Sequence, residues 1–113
     1  MSITADLIRG HTETIILAHL FGQDSYGYEI NKSIKEKSEG IYELKEATLY
    51  SAFRRLEESG AISSYWGDET TGARRRYYSI TERGRALFRQ NRQEWQRAHE
   101  LIDKMIQTKE TGR

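Results

Sequence analysis

Hydrophobic side chains recur at three- and four-residue steps along the first half of the chain, and this periodicity predicts three amphipathic helices. The first helix is expected at about 5–21, carries a wide apolar stripe and is ended by Gly22. The second is expected at about 26–37, with Ser25 as its N-cap, before the segment 38–40 breaks it.

The third helix, expected at about 45–59, has one apolar side and one polar side. Leu49, Phe53 and Leu56 lie at i, i+4 and i+7 and form its buried stripe, and Gly60 stands where a left-handed C-terminal residue belongs. Cations and short hydroxyls occupy the other side: Lys45, Thr48, Ser51, Arg54 and Arg55.

After the third helix the pattern changes to short aromatic and β-branched runs. The segments 62–66 and 76–80 flank a polar, glycine-bearing stretch at 67–73, which predicts a β-hairpin.

Thr81 can cap a last helix at about 82–107, which is too long for a small domain to cover, and the tail 108–113 is expected to fray. One stripe of this helix is expected to pack against a second subunit at near-heptad spacing: Trp95, Ala98, Ile102 and Met105.

The predicted order of elements indicates a mainly α fold with a small β-hairpin (α+β). Three helices followed by a hairpin are typical of a winged helix-turn-helix, here at 1–80, and the segment 81–113 would be a C-terminal dimerisation helix and tail continuous with it.

Composition narrows the function classes. The net charge is only +1, but residues 74–97 hold eight arginines against two glutamates, so a basic face is expected. Without cysteine and with three histidines at no metal-ligand spacing, we expect no metal site and no cofactor. The absence of an apolar run of roughly 18 residues and of a signal-peptide pattern favours a cytoplasmic protein without membrane contact. No catalytic motif indicates an enzyme.

The polar side of the third helix and the arginines beside the hairpin suggest binding to double-stranded DNA. A helix fits the major groove, about 12 Å wide, where Thr48, Ser51 and Arg54 or Arg55 could reach base edges or phosphates. Tyr50 could donate its hydroxyl to a phosphate. In the hairpin, strand alternation prevents all three consecutive cations from facing DNA together; we favour Arg74 with one of the other two, Arg75 and Arg76.

A structural interpretation of the same arginines stays open. Arg54 and Arg55 would then pair with Glu57 and Glu58 on the surface, and the arginines of the hairpin would serve solubility alone.

Several motifs in order resemble the PadR family of regulators, over nearly the whole chain: YEI at 28–30, ATLY at 47–50, RLE at 55–57, GAI at 60–62, GARRRYY at 72–78 and TERG at 81–84. The segment 63–69 and the single short C-terminal helix look most like the compact, multidrug-sensing subfamily. The resemblance implies a homodimer that exchanges C-terminal helices and represses a neighbouring gene.

In those relatives a tryptophan of the last helix stacks on planar apolar compounds at the dimer interface, and Trp95 occupies the matching position. By the same resemblance, Leu7, Thr14 and Ala18 would face that cavity. His99 stands where the relatives carry an acid, and Arg92 where they carry an aromatic residue, which disfavours a cationic dye.

The leading hypothesis is therefore a repressor released from its operator by a planar apolar molecule. Two alternatives remain: a PadR-like repressor without an effector, and a winged-helix module for protein association that uses the acidic stretch 36–46.

Overall fold

The computed structural model describes residues 3–68 and 74–109. The elements in chain order are α1 (Ile3–Ile8), a 3-10 turn (Arg9–His11), α2 (Thr12–Gly22), β1 (Ser25–Tyr26), α3 (Gly27–Lys37), α4 (Glu46–Glu58), β2 (Ile62–Trp66), β3 (Arg76–Ile80) and α5 (Glu82–Ile106). The mainly helical class, the hairpin and the long last helix are confirmed. Part of the predicted hairpin tip (69–73) and most of the predicted tail (110–113) lie outside the described residues.

The single helix predicted at 5–21 is wrong, because the 3-10 turn divides it into α1 and α2. His11, which precedes α2, leaves the helical region at φ −111° and ψ 9°. The Thr12 hydroxyl donates to the Arg9 carbonyl at 3.0 Å and stabilises the turn. Gly10 inside this segment is a poor helix former, which favours the break.

The prediction that Ser25 caps the second helix is also wrong. Ser25 pairs with Tyr78 in the sheet, and its hydroxyl donates to the Glu29 carboxylate. The cap position belongs to Tyr26, which makes no side-chain capping bond. A two-residue strand that pairs with a distant part of the chain leaves no local pattern, so the tertiary pairing overrides the capping preference.

The three strands form an antiparallel sheet in the order β1-β3-β2. It lies against α4, where Phe53 stacks on Tyr78 with ring centroids 3.9 Å apart. The buried stripe predicted for the third helix is confirmed, and α2 and α3 complete the core: Ile16, Leu17, Leu20, Ile30, Leu49, Phe53, Leu56. Gly60 ends this region in the predicted left-handed conformation, at φ 82°.

The start of α5 is fixed by a close backbone approach. The hydroxyl of Thr81 accepts from the Gly84 amide at 3.0 Å, which confirms the predicted cap. A Cβ built on Gly84 would lie 2.1 Å from the Ala61 carbonyl oxygen and 2.8 Å from Ile80 Cγ1. Only glycine therefore lets α5 begin this close to the chain that leads into β2.

Gly84→Ala should destabilise the protein by about 1–3 kcal/mol, because the added methyl meets rigid backbone rather than a flexible side chain. Gly22→Ala is the matched control: that glycine is helical too, nothing lies within 4 Å of its Cβ position, and the change should be neutral or stabilising by up to about 1 kcal/mol. Urea unfolding at one protein concentration measures both. Equal stabilities for the two variants would contradict this account of α5.

Candidate functional site

The outward face of α4 is polar, and the opposite face of the helix packs into the core. The apolar side of the helix is fully buried, whereas Lys45, Thr48 and Arg54 are exposed. The side chains of Thr48 and Arg54 form no hydrogen bond or ion pair with any residue that the structure describes. They are therefore available to an external partner, on a helix whose position is fixed by the core.

Three other residues of the predicted interface are engaged within the chain. The Arg55 guanidinium donates to Glu13 of α2 at 2.6 Å and to the Ser51 hydroxyl at 3.0 Å. The Tyr50 ring packs edge-on against Phe53, with centroids 5.5 Å apart. The Tyr50 hydroxyl reaches Gly27 so closely that a Cβ there would lie 2.6 Å from it. Arg55, Ser51 and Tyr50 thus tie α4 to α2 and α3.

The arginines beside the hairpin divide between the two faces of the sheet, as strand alternation predicts. Arg76 donates to Ser64 at 2.9 Å and pairs with Glu57 of α4 at 3.3 Å. Arg75 lies over the Tyr26 ring at 4.7 Å, on the other face. The structural interpretation expected Glu57 to pair with Arg54 or Arg55. In the structure, the Glu57 carboxylate instead accepts hydrogen bonds from Arg76 and Ser64.

Arg74 lies at the tip-proximal end of the hairpin, with its guanidinium 5.1 Å above the Trp66 ring. This cation–π contact orients the exposed Arg74 side chain against the hairpin. Arg74 therefore remains a candidate for contact with an anionic surface.

A tyrosine stack stiffens the sheet face away from α4. Tyr65 and Tyr77 are stacked at 5.7 Å, and Tyr26 packs edge-on against Tyr77 at 5.4 Å. The Tyr65 hydroxyl donates to Asp24 at 2.6 Å, and this hydrogen bond raises the pKa of Tyr65 above its usual value. The contact joins β2 to the loop before β1, so the hairpin is braced at its base.

A cleft of about 310 Å³ lies where α2 and the 3-10 turn meet α5. It contains two of the predicted ligand residues, Trp95 and Thr14, and Thr14 accepts from the Asn91 amide at 3.0 Å. His11 packs edge-on against Trp95 with centroids 4.9 Å apart, and His99 lies 5.4 Å from the same ring.

The other predicted ligand residues lie elsewhere. Leu7 is exposed on α1, and Ala18 lines a separate cleft between α2 and α3. Sequence reasoning missed His11 and Glu94, both of which line the Trp95 cleft. Glu94 is adjacent to Trp95 in sequence and could have been found, whereas His11 reaches the cleft only because the 3-10 turn redirects the chain.

The C-terminal half of α5 carries an uncovered apolar stripe. Trp95 is 46% exposed, Ile102 49% and Met105 74%, and Ala98 is exposed between them. The helix has 25 residues and is roughly 37 Å long, so its end extends well past the core. In the described part of the chain, no group of side chains could hold a metal ion, and no helix is long and apolar enough to cross a membrane.

Comparison with known proteins gives consistent results. The model of the transcriptional regulator PadR-like family matches residues 16–90. A solved transcriptional regulator from Clostridium thermocellum is 49% identical with a TM-score of 0.83, covering 90% of this chain and 99% of its own. A PadR family regulator from Clostridium difficile R20291 is 33% identical with a TM-score of 0.77, covering 86% and 99%. An uncharacterised protein of Lysinibacillus sphaericus is 42% identical over 89% of this chain and 93% of its own.

Proposed function

The chain belongs to the PadR-like family of transcriptional regulators, and we propose that it is a homodimeric, sequence-specific DNA-binding repressor. The observation that carries the proposal is the outward face of α4, where Thr48 and Arg54 stand exposed and without a partner among the described residues, above a fully buried apolar side. A helix held in this way can enter the major groove without losing its contacts to the core.

The residues of this interface would make two kinds of contact with DNA, to base edges and to phosphates. Arg54 can bind guanine through two parallel hydrogen bonds, and Thr48 offers a short hydroxyl, so these residues would read base edges. Lys45 at the start of α4 and Arg74 on the hairpin would contact phosphates and position the helix. Arg55 and Arg76, held by Glu13 and Glu57, would mainly keep α4 and the hairpin in register.

Dimerisation would bury the stripe of α5 that its own chain leaves exposed. Trp95, Ala98, Ile102 and Met105 follow steps of three and four residues, the spacing of side chains that interlock between two helices. A twofold pair would present two copies of α4 to successive major grooves about 34 Å apart, as other helix-turn-helix dimers do. Each subunit would then read one half-site of a palindrome.

The Trp95 cleft would hold the effector. Its volume of about 310 Å³ in one chain is at the lower end for ligand sites, and the same cleft of a second subunit could enlarge it. A planar apolar molecule would stack on Trp95 between the subunits. By shifting α5 it would change the spacing of the two α4 helices, so that the dimer releases its operator.

Arg54→Ala should weaken binding to the operator about 5- to 150-fold and reduce the preference over a site with mutated base pairs, because a base contact is lost.

Arg74→Ala should weaken binding to the operator and to the mutated site alike. It should lower the slope of log affinity against log salt concentration by about one, because a phosphate contact is lost. Fluorescence anisotropy with DNA from upstream of the gene, at two salt concentrations, measures both. Lys109→Ala, an exposed cation beyond α5, controls for net charge. Binding that stays unchanged in both variants would favour a protein-association module.

Ile102→Glu should convert the dimer to a monomer, since it places a charge in the stripe that the partner would cover. Lys104→Glu adds the same side chain on the opposite side of α5 and should leave the dimer intact. Light scattering coupled to gel filtration measures the mass. A dimer that survives Ile102→Glu would refute this interface.

A planar apolar compound that quenches Trp95 fluorescence should lower operator affinity by about 5- to 150-fold, the usual range of allosteric coupling. Trp95→Ala should lose this response, measured as the ratio of operator affinities with and without the compound, since the substitution also removes part of the dimer stripe. Trp66→Ala removes the other tryptophan and should retain the response. If no quenching compound alters DNA binding, a repressor without an effector is the better description.

A further inference from the structure

A second cleft, of about 220 Å³, lies between α2 and α3 within one chain. Its walls are mainly apolar, and Ile8, Ile15, Ile34 and Tyr42 are among the residues that line it. It shares no lining residue with the Trp95 cleft and does not depend on a second subunit. A small, compact hydrocarbon body fits such a space.

Two polar groups give the cleft a chemical preference. His19 lines it, and its Nε2 atom is buried without a hydrogen-bond partner in the described part of the chain. Burial, and then the charge of Lys37, lower the pKa of His19 below its usual value, with Glu29 opposing them, so the imidazole is neutral at neutral pH. Lys37 also lines the cleft and forms no ion pair with a described residue.

We propose that this cleft binds a small aliphatic carboxylic acid, with its hydrocarbon part between the isoleucines and its carboxylate at Lys37. A buried polar atom normally has a hydrogen-bond partner, and His19 Nε2 is closed to solvent without one, so a turn of the ring toward the cleft would let its N–H donate to the carboxylate. A cation at the mouth of an aliphatic cleft favours an anionic head group over a neutral one.

An occupant of this cleft would touch the connector that leads into α4. Ser38 and Tyr42 line the cleft, and the Ser38 hydroxyl accepts from the Tyr42 amide at 2.9 Å. The Asn31 side chain then holds Leu44 through two bonds of 2.7 and 3.0 Å, just before α4 begins. A ligand here would therefore bias the position of α4 directly, and this regulatory part rests on the proposed function.

Calorimetric titration with cyclohexanecarboxylate tests the site, and cyclohexanecarboxamide is the neutral probe of the same shape. We expect saturable binding of the acid and about tenfold weaker binding of the amide. Lys37→Met should weaken the acid about tenfold, and Ser33→Leu, which fills the cleft, should abolish binding. Lys35→Met is the matched control: it removes an exposed cation on the same helix as Lys37, one that pairs with Glu43 and does not line the cleft, and it should bind the acid as the wild type does.

Circular dichroism confirms that each variant is folded, and NMR shifts should centre on the His19 ring and Tyr42. Absent binding, equal binding of acid and amide, an unaltered affinity in Lys37→Met, or shifts centred on Trp95 would each overturn the site. The titration needs no DNA, so its outcome is independent of the proposed function. A bound probe that leaves operator affinity within twofold would overturn the regulatory part.

Discussion

The position of α4 depends on the stacking of Phe53 on Tyr78, at 3.9 Å between ring centroids. This contact joins the helix to the central strand of the sheet, and Leu49 and Leu56 extend the same buried face on either side. Because the apolar side is fixed in this way, the direction of Thr48 and Arg54 follows from helix geometry alone. The core contacts of α4 therefore determine the direction of its outward face. Substitutions in the core would change the direction of Thr48 and Arg54, and so affect this face as much as substitutions in the face itself.

The arginines of the chain fall into two groups, which the net charge of the protein does not distinguish. Carboxylates from neighbouring elements hold Arg55 and Arg76, in pairs to Glu13 and Glu57 that join α4 to α2 and to the sheet. Partly exposed pairs of this kind contribute little stability, typically below about 1 kcal/mol, but they fix geometry. Arg54 is left without such a carboxylate in the described part of the chain, so under the proposed function a nearly neutral protein would still present a cation to DNA.

The sequence allowed the helical elements to be predicted because their buried faces repeat locally, as Leu49, Phe53 and Leu56 do. It did not reveal the 3-10 turn at Arg9–His11, since the apolar pattern continues through it. The partners of the arginines were equally hidden, because Arg55 and Glu13 are 42 residues apart and meet only through the packing of α4 on α2. The resemblance singled out Trp95 as a ligand residue, which stays a prediction, whereas it gave no sign that His11 packs against this ring.

The helix α2 lines both clefts, so under the proposed function it would have a central place in regulation. Thr14 faces the cleft beside α5, while Ala18 and His19 face the one beside α3. Protein interiors are close-packed, so a shift of α2 caused by a ligand at one cleft would be expected to change the shape of the other. Linkage then requires the effect to be reciprocal: if a ligand at Trp95 alters affinity in the second cleft, a ligand there alters affinity at Trp95 by the same factor. Glu13 of the same helix forms an ion pair with Arg55 of α4. A shift of α2 caused at either cleft would therefore also act on α4.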